Sequence, residues 1–200
     1  MSAVAVTERA LAAQLLACWW SRPVEEETAA WAGAWSDAQL AGAALGRDSA
    51  EVESLERAAA CDVSQLVEEY ERLFVGPGRV PCPPYEALWR DEGQRREQGR
   101  LMSTATAAVA RLYRSLDLAV RHDAHELPDH VAVELEALAY ALETEGPDEQ
   151  TAQELLTQHL LIWMPKLCAA VGQEAQLGFY RTLAQLTPHW LAAISEPTTP

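Results

Sequence analysis

Between positions 122 and 134 the chain gathers His122, Asp123, His125, Glu126, Asp129, His130 and Glu134, its densest set of side chains able to bind a metal or move a proton. Three kinds of chemistry are open to such a set: ligation of zinc or iron, acid–base work by an Asp–His pair, or capping of a helix start by carboxylates. For a metal, the spacing of His122, His125 and His130 matches no specific ligand pattern, and no His-Glu-x-x-His run occurs. For catalysis, Asp129 and His130 are neighbours and so point in different directions on a helical turn, with no Ser or Cys nucleophile tied to them. Capping is the simplest reading. Glu126 and Asp129 fall in or just before the first turn of a helix opened by Pro128, where carboxylates accept orphan N–H groups and complement the helix dipole. His130 then bonds across the hinge. A small helical enzyme using Asp129, His130 and Glu134, or a metal or cofactor carrier using the His122 to His130 cluster, stands as the alternative.

A second stretch is informative for its stiffness. Tyr70-Glu-Arg-Leu73-Phe74 keeps helical spacing and then meets Gly76, Pro77, Gly78, Pro81, Pro83 and Pro84. Each proline fixes its own φ, lacks an N–H and pushes the preceding residue toward extended geometry, so residues 80–83 are expected to form a rigid strip. That strip delivers Tyr85, Glu86, Leu88 and Trp89, and rigid loops carrying amphipathic rings suit recognition as well as packing. Gly76-x-Gly78 lacks the third glycine and the strand context of a dinucleotide site, and no phosphate-binding Gly-Lys-Ser/Thr loop exists. Lys166 is the single lysine, which leaves little room for Schiff-base chemistry. His159, beside Leu155, Ile162 and Trp163 on an apolar helix face, reads as a core or groove histidine before a ligand.

These residues need elements to hold them. Alanine and leucine dominate and alternating β-branched runs are missing, which predicts an all-α protein of about eight to ten helices. A first helix is expected from about Thr7 to Trp20, with Leu11, Leu15, Cys18 and Trp19 on one stripe and Pro23 ending it. Ser36 reads as an N-cap, Gly46 as a stop, and a further helix spans roughly Ala50 to Ala60. Asp62 with Gln65 is a capping-box variant, followed by Val63, Leu66, Val67, Tyr70, Leu73 and Phe74 inward and Glu68, Glu69 and Glu71 outward. Gln98 to Leu116 reads as a long helix with Leu101, Ala105, Ala108, Leu112 and Leu116 inward. Val131, Leu135, Leu138 and Leu142 form a stripe up to Gly146-Pro147, Asp148 can cap a helix that Pro165 interrupts, and Phe179, Leu183, Leu186, Trp190 and Ile194 mark the last helix. Loss of pattern around 117–130 suggests a hinge between an N-terminal lobe of about 1–122 and a C-terminal lobe of about 123–195 within one globular domain.

With 30 acidic against 15 basic residues the net charge is -15, which excludes nucleic acid as a partner and would suit a basic peptide. The four cysteines are scattered, without a Cys-x-x-Cys pair, as in a reducing compartment. The first residues lack a basic region ahead of an apolar core, and no segment is long and apolar enough to cross a bilayer. The expectation is a cytoplasmic protein without stable membrane insertion.

Taken together, Tyr70-x-x-Leu73-Phe74-Val-Gly76-Pro-Gly78 running on to Pro83-Pro84-Tyr85-Glu86, and Glu126-Leu-Pro128-Asp129-His130 running on to Glu134-Leu135-Glu136, resemble the TorD/DmsD/NarJ family of redox-enzyme maturation chaperones. Ala87 stands where many relatives have serine, and Leu127 intervenes where others show a tighter Glu-Pro-x-Asp-His hinge. The resemblance implies an all-helical chaperone with no catalytic turnover and no cofactor of its own, monomer or homodimer. Such proteins bind the twin-arginine leader or the apo form of a molybdopterin oxidoreductase catalytic subunit of the DMSO-reductase family. Carried onto this chain, it implies a leader-binding surface of Leu73, Phe74, Tyr85, Glu86, Trp89, Glu126, Pro128, Asp129 and His130, apolar rings against the leader's hydrophobic stretch and carboxylates against its arginines.

Overall fold

The structure, a computed structural model, describes residues 3–24, 28–44, 49–60, 62–90, 102–120, 126–144 and 150–196. Helix α1 (Ala3–Trp20) runs through the interior: Ala12, Ala13, Leu16, Ala17, Trp19 and Trp20 are all buried, around most of its circumference. A helix that is apolar nearly all round must be covered on every side. Here α1 packs most extensively on α6 (Val131–Thr144) and also on α2 (Thr28–Ala44), while α3 (Ser49–Ala59) and α8 (Leu161–Glu174) pack on α9 (Gly178–Ser195). The remaining segments are α4 (Val63–Tyr70), α5 (Thr104–Ser115) and α7 (Gln150–Glu154). A π-helical turn at Leu155–Leu160 joins α7 to α8, so the nine α segments make eight rods among the described residues. The fold is all-α, as composition predicts.

Both long stripes are where their spacing places them. Val131, Leu135, Leu138 and Leu142 are buried on α6, as are Phe179, Leu183, Leu186, Trp190 and Ile194 on α9. Asp62 caps α4, accepting the N–H of Ser64 at 3.2 Å. Aromatic rings knit distant segments: Phe74 contacts Tyr70, Tyr180 and Trp20, with centroids 4.9, 5.7 and 5.9 Å away, and the Trp20 indole donates to Thr187 Oγ1 at 2.9 Å. One hydrophobic cluster runs from Ala10 to Ile194 and includes residues on both sides of 117–130.

Several local expectations are corrected. Ser36 lies in the middle of α2, where surrounding alanines sustain the helix through it. Pro165 lies inside α8 and does not end it. On α5 the buried stripe is Ala105, Val109, Tyr113 and Leu116, so Ala108 and Leu112 are only half-buried, and Ser103 provides the cap. Glu69 faces inward: Arg72 grips it at 2.7 and 2.9 Å, and it accepts the N–H groups of Gln176 and Leu177 that lead into α9. Gly46, Gly146, Pro147, Asp148 and the stretch before Met102 lie outside the described residues.

Candidate functional site

The helix α4 continues into a π-helical turn, Glu71–Val75, that ends when Gly76 turns to φ 109° and returns its N–H to the Glu71 carbonyl at 2.8 Å. A side chain is strained at that φ, so glycine is required for the chain to leave the helix here. The strip then folds back, with the Cys82 N–H on the Leu73 carbonyl at 3.0 Å. Its far end pairs with the second motif. Tyr85 and His130 form an isolated antiparallel bridge, with Glu86 N–H donating to the Asp129 carbonyl and Val131 N–H to the Pro84 carbonyl, both at 2.9 Å. Among the described residues the two unusual segments are thus one unit.

Side chains reinforce the bridge. The Ala87 N–H donates to Asp129 Oδ2 at 3.1 Å, so Asp129 caps the short 3₁₀ turn at Glu86–Leu88 rather than the helix that follows it. His130 caps α6 itself: Nδ1 accepts the Ala132 N–H at 3.2 Å. That leaves the proton on Nε2, which stands 4.0 Å from Glu126 Oε2. The Tyr85 ring meets the His130 ring edge to face at 5.3 Å, and its hydroxyl donates to Glu126 Oε2 at 3.2 Å. Pro128 sits three residues ahead of α6, its carbonyl held by the Tyr113 hydroxyl at 2.7 Å.

Beneath the bridge lies a sealed polar layer. Glu86, Asp129 and Glu134 are each fully buried. The His159 ring places Nδ1 at 2.9 Å and Arg90 its Nε at 2.8 Å from the Glu86 carboxylate, the guanidinium also reaching the Gln158 carbonyl. The π-helical turn on α7–α8 presents both His159 and that carbonyl. Lys166 donates to the Trp89 carbonyl at 3.0 Å, and the Trp89 indole to the Pro83 carbonyl at 2.6 Å. The Trp163 indole donates to Glu134 at 3.2 Å.

Desolvation governs the electrostatics. It pushes Glu134 well above the usual carboxylate range, with Glu86 and Asp129 adding in the same direction, and it raises Asp129 and Glu126 as well. It drives His130 down to about 4 and the Tyr85 phenol up to about 12. A neutral His130 is what its capping role requires, since a protonated Nδ1 cannot accept.

Five of the nine residues expected at the binding surface are buried. Leu73 and Phe74 are core residues, because they continue the buried stripe of α4, and Glu86, Asp129 and His130 turn inward to hold the bridge. Tyr85, Trp89 and Pro128 are half-buried and Glu126 is exposed, with Trp89 packed partly against the core. Tyr113, Arg90 and Lys166 complete the unit and were not singled out by motif; the four-residue spacing of Ala105, Val109 and Tyr113 is the sequence signal that marks the first. His122 and His125 lie outside the described residues, among which no group of three or more His, Cys, Asp or Glu could hold a metal ion. Asp129, His130 and Glu134 do not converge on an open pocket: two are sealed in and the third caps its own helix.

Among the described residues, then, a stiff loop is bridged to the start of a helix in an all-helical fold. The nitrate reductase delta subunit family model matches residues 29–169, and the chain belongs to that family. It is 28% identical over 127 residues to the Tat proofreading chaperone DmsD of Salmonella typhi, covering 64% of this chain and 59% of that protein. It is 27% identical over 128 residues to the chaperone protein TorD of Shewanella loihica, covering 64% and 59%. Against the chaperone protein YcdY of Escherichia coli it is 29% identical over 139 residues, covering 67% and 65%. The chain thus spans about three fifths of the length of the first two. In fold it is similar to a crystal structure from Archaeoglobus fulgidus assigned as a redox enzyme maturation protein, with a TM-score of 0.64, 23% identity and coverage of 92% and 93%. These relatives are named for chaperoning and maturation, not for catalysis.

Proposed function

We propose that this chain is a cytoplasmic chaperone without catalytic turnover. It binds the twin-arginine leader, the apo catalytic subunit, or both, of a molybdopterin oxidoreductase of the DMSO-reductase family, and delays export until the cofactor is in place. The observation that supports this reading is the Tyr85–His130 bridge, which joins the two motifs, with Tyr85, Trp89 and Pro128 half-buried and Glu126 exposed. The buried Glu86, Asp129, His130, Leu73 and Phe74 then act as supports. No helix among the described residues is long and apolar enough to cross a membrane.

Magnitudes fit a reversible complex. Burying two or three apolar leader side chains gives roughly 3 to 9 kcal/mol, and association takes back at least about 4 kcal/mol. One Arg–carboxylate pair, at about 1.5 to 3 kcal/mol per charged hydrogen bond, brings the sum toward the roughly 8 kcal/mol of micromolar binding. Calorimetric titration with a twin-arginine leader peptide tests the reading. Saturable binding near micromolar is expected; binding to neither the leader nor an apo catalytic subunit would contradict it.

A further inference from the structure

With Leu73 and Phe74 buried, the apolar stretch of a leader needs another wall. We propose that the hollow between α5 and α6 is that seat, an inference that rests on the leader-binding reading above. The helix α6 is buried on every side but one. Its exposed or half-exposed positions are Val133, Glu136, Tyr140, Glu143 and Thr144, and Tyr140 remains 41% exposed although it is a large ring. Along the α5 side of that stripe runs a hollow of about 550 Å³, lined by Tyr113, Leu118, Val120, Val133, Ala137 and Tyr140. Clefts of roughly 300 to 1,000 Å³ with mostly apolar walls are the usual size for bound organic groups. This one has room for several aliphatic side chains.

Two observations say what kind of segment it takes. The first is continuity: Tyr113 forms part of the wall and its hydroxyl holds the Pro128 carbonyl at 2.7 Å, so the hollow adjoins the motif that carries Glu126. The second is charge. Among the described residues of the lining, Glu136 is the only charged one. A neighbouring hollow of about 480 Å³ between α1 and α6 shares Glu136 and Tyr140 and adds Glu143, and the cation in its lining, Arg22, is bonded to Glu71 at 2.6 Å. Apolar walls with an acidic rim, in a chain of net charge -15, favour an apolar segment joined to cationic residues and repel an anionic one. A leader has that composition, a basic region followed directly by an apolar run. Its aliphatic side chains enter the hollow while its arginines meet Glu126.

The test uses the full chain and two synthetic peptides: two adjacent arginines followed by an apolar run of about 12 leucines and alanines, and the same arginines followed by serine and glycine. The first is expected to bind wild type, and Leu118→Asp to weaken it about tenfold or more, the loss of a leucine-sized apolar contact. Tyr140→Ser, at an exposed position, weakens it several-fold and decides the matter should Leu118→Asp fail to fold. The serine–glycine peptide binds wild type weakly and Tyr140→Ser no worse. Binding of the apolar peptide unchanged in folded Leu118→Asp or in Tyr140→Ser overturns the seat and leaves the leader reading standing. No binding of either peptide to wild type overturns both.

Discussion

Glu86 and His159, 73 positions apart, meet in the interior with Nδ1 2.9 Å from Oε2, and Arg90 closes on the same carboxylate from the other side. A carboxylate with no exposure and two cationic or polar donors ties the proline-rich loop to the π-helical turn between α7 and α8. The half-buried rings of Tyr85 and Trp89 are mounted on that tie.

Breaking it is expected to be costly. Glu86→Ala leaves the buried His159 without its acceptor and removes the Arg90 ion pair, a change worth on the order of 3 to 5 kcal/mol. The double replacement Glu86→Met with His159→Leu recovers part of the loss, since apolar side chains need no partner. Urea denaturation measures both; a cost under about 1 kcal/mol for Glu86→Ala would show that the tie is unimportant.

A pH dependence follows from His130. Folding lowers its pKa from 6.5 to about 4, so the unfolded chain binds the extra proton between those values and stability rises with pH across that window. The contribution, about 3 kcal/mol, is complete above pH 6.5 and is lost as pH falls toward 4. Buried Glu134 and Asp129, and Glu126 beside His130, have raised pKa values and act in the opposite direction, so the comparison must isolate the imidazole. Asn accepts the same N–H without titrating. His130→Asn should therefore gain stability relative to wild type as pH falls from 7 to 4.5; parallel pH profiles would remove His130 as their source.

Glu69 clamps the turn into α9. Burial alone would raise its carboxyl, but the bonds from Arg72, Gln176 and Leu177 outweigh that and hold it below the usual range. Its stabilisation is therefore present above the unfolded pKa and fades as pH falls through the folded one. Glu69→Ala removes a helix-start acceptor and the ion-pair partner of Arg72, at a cost of about 2 kcal/mol or more by thermal or urea unfolding near pH 7. Unchanged stability would mean that the contacts are incidental.

Trp89, half-buried and bonded through its indole to the Pro83 carbonyl, should report on the loop. Its emission changes when leader binds, and Trp89→Phe abolishes most of that change. A response that persists would come from another tryptophan and locate the leader elsewhere.

If the acidic surface steers the leader's arginines, raising salt from about 0.05 to 0.5 M slows association several-fold, as the Debye length falls from about 14 Å to about 4 Å. Dissociation, governed by apolar contact, changes less. Stopped-flow rates that ignore salt would reduce the charge to a solubility feature.

The helices were legible because periodicity is local: the α6 and α9 stripes are read directly, as is the Asp62 cap. The two motifs were legible as loops and as a family resemblance. What periodicity could not supply was direction and partner. Leu73 and Phe74 continue a stripe and so are core, which the resemblance overrode. Glu69 carries a charge and was read as outward, yet its partners lie on a turn more than a hundred positions away. Glu86 and His159 likewise find each other only through the packing of α8 beneath the loop. Ser36 and Pro165 show propensity yielding to tertiary packing.

The central claim is that the bridged motifs form the surface a leader covers. Hydrogen exchange of the full chain with and without a twin-arginine leader peptide tests it most directly. The account predicts new protection at residues 85–89 and 126–131, with α2, α3 and α9 unchanged. Protection confined to those three helices, with the bridge unaffected, would contradict it.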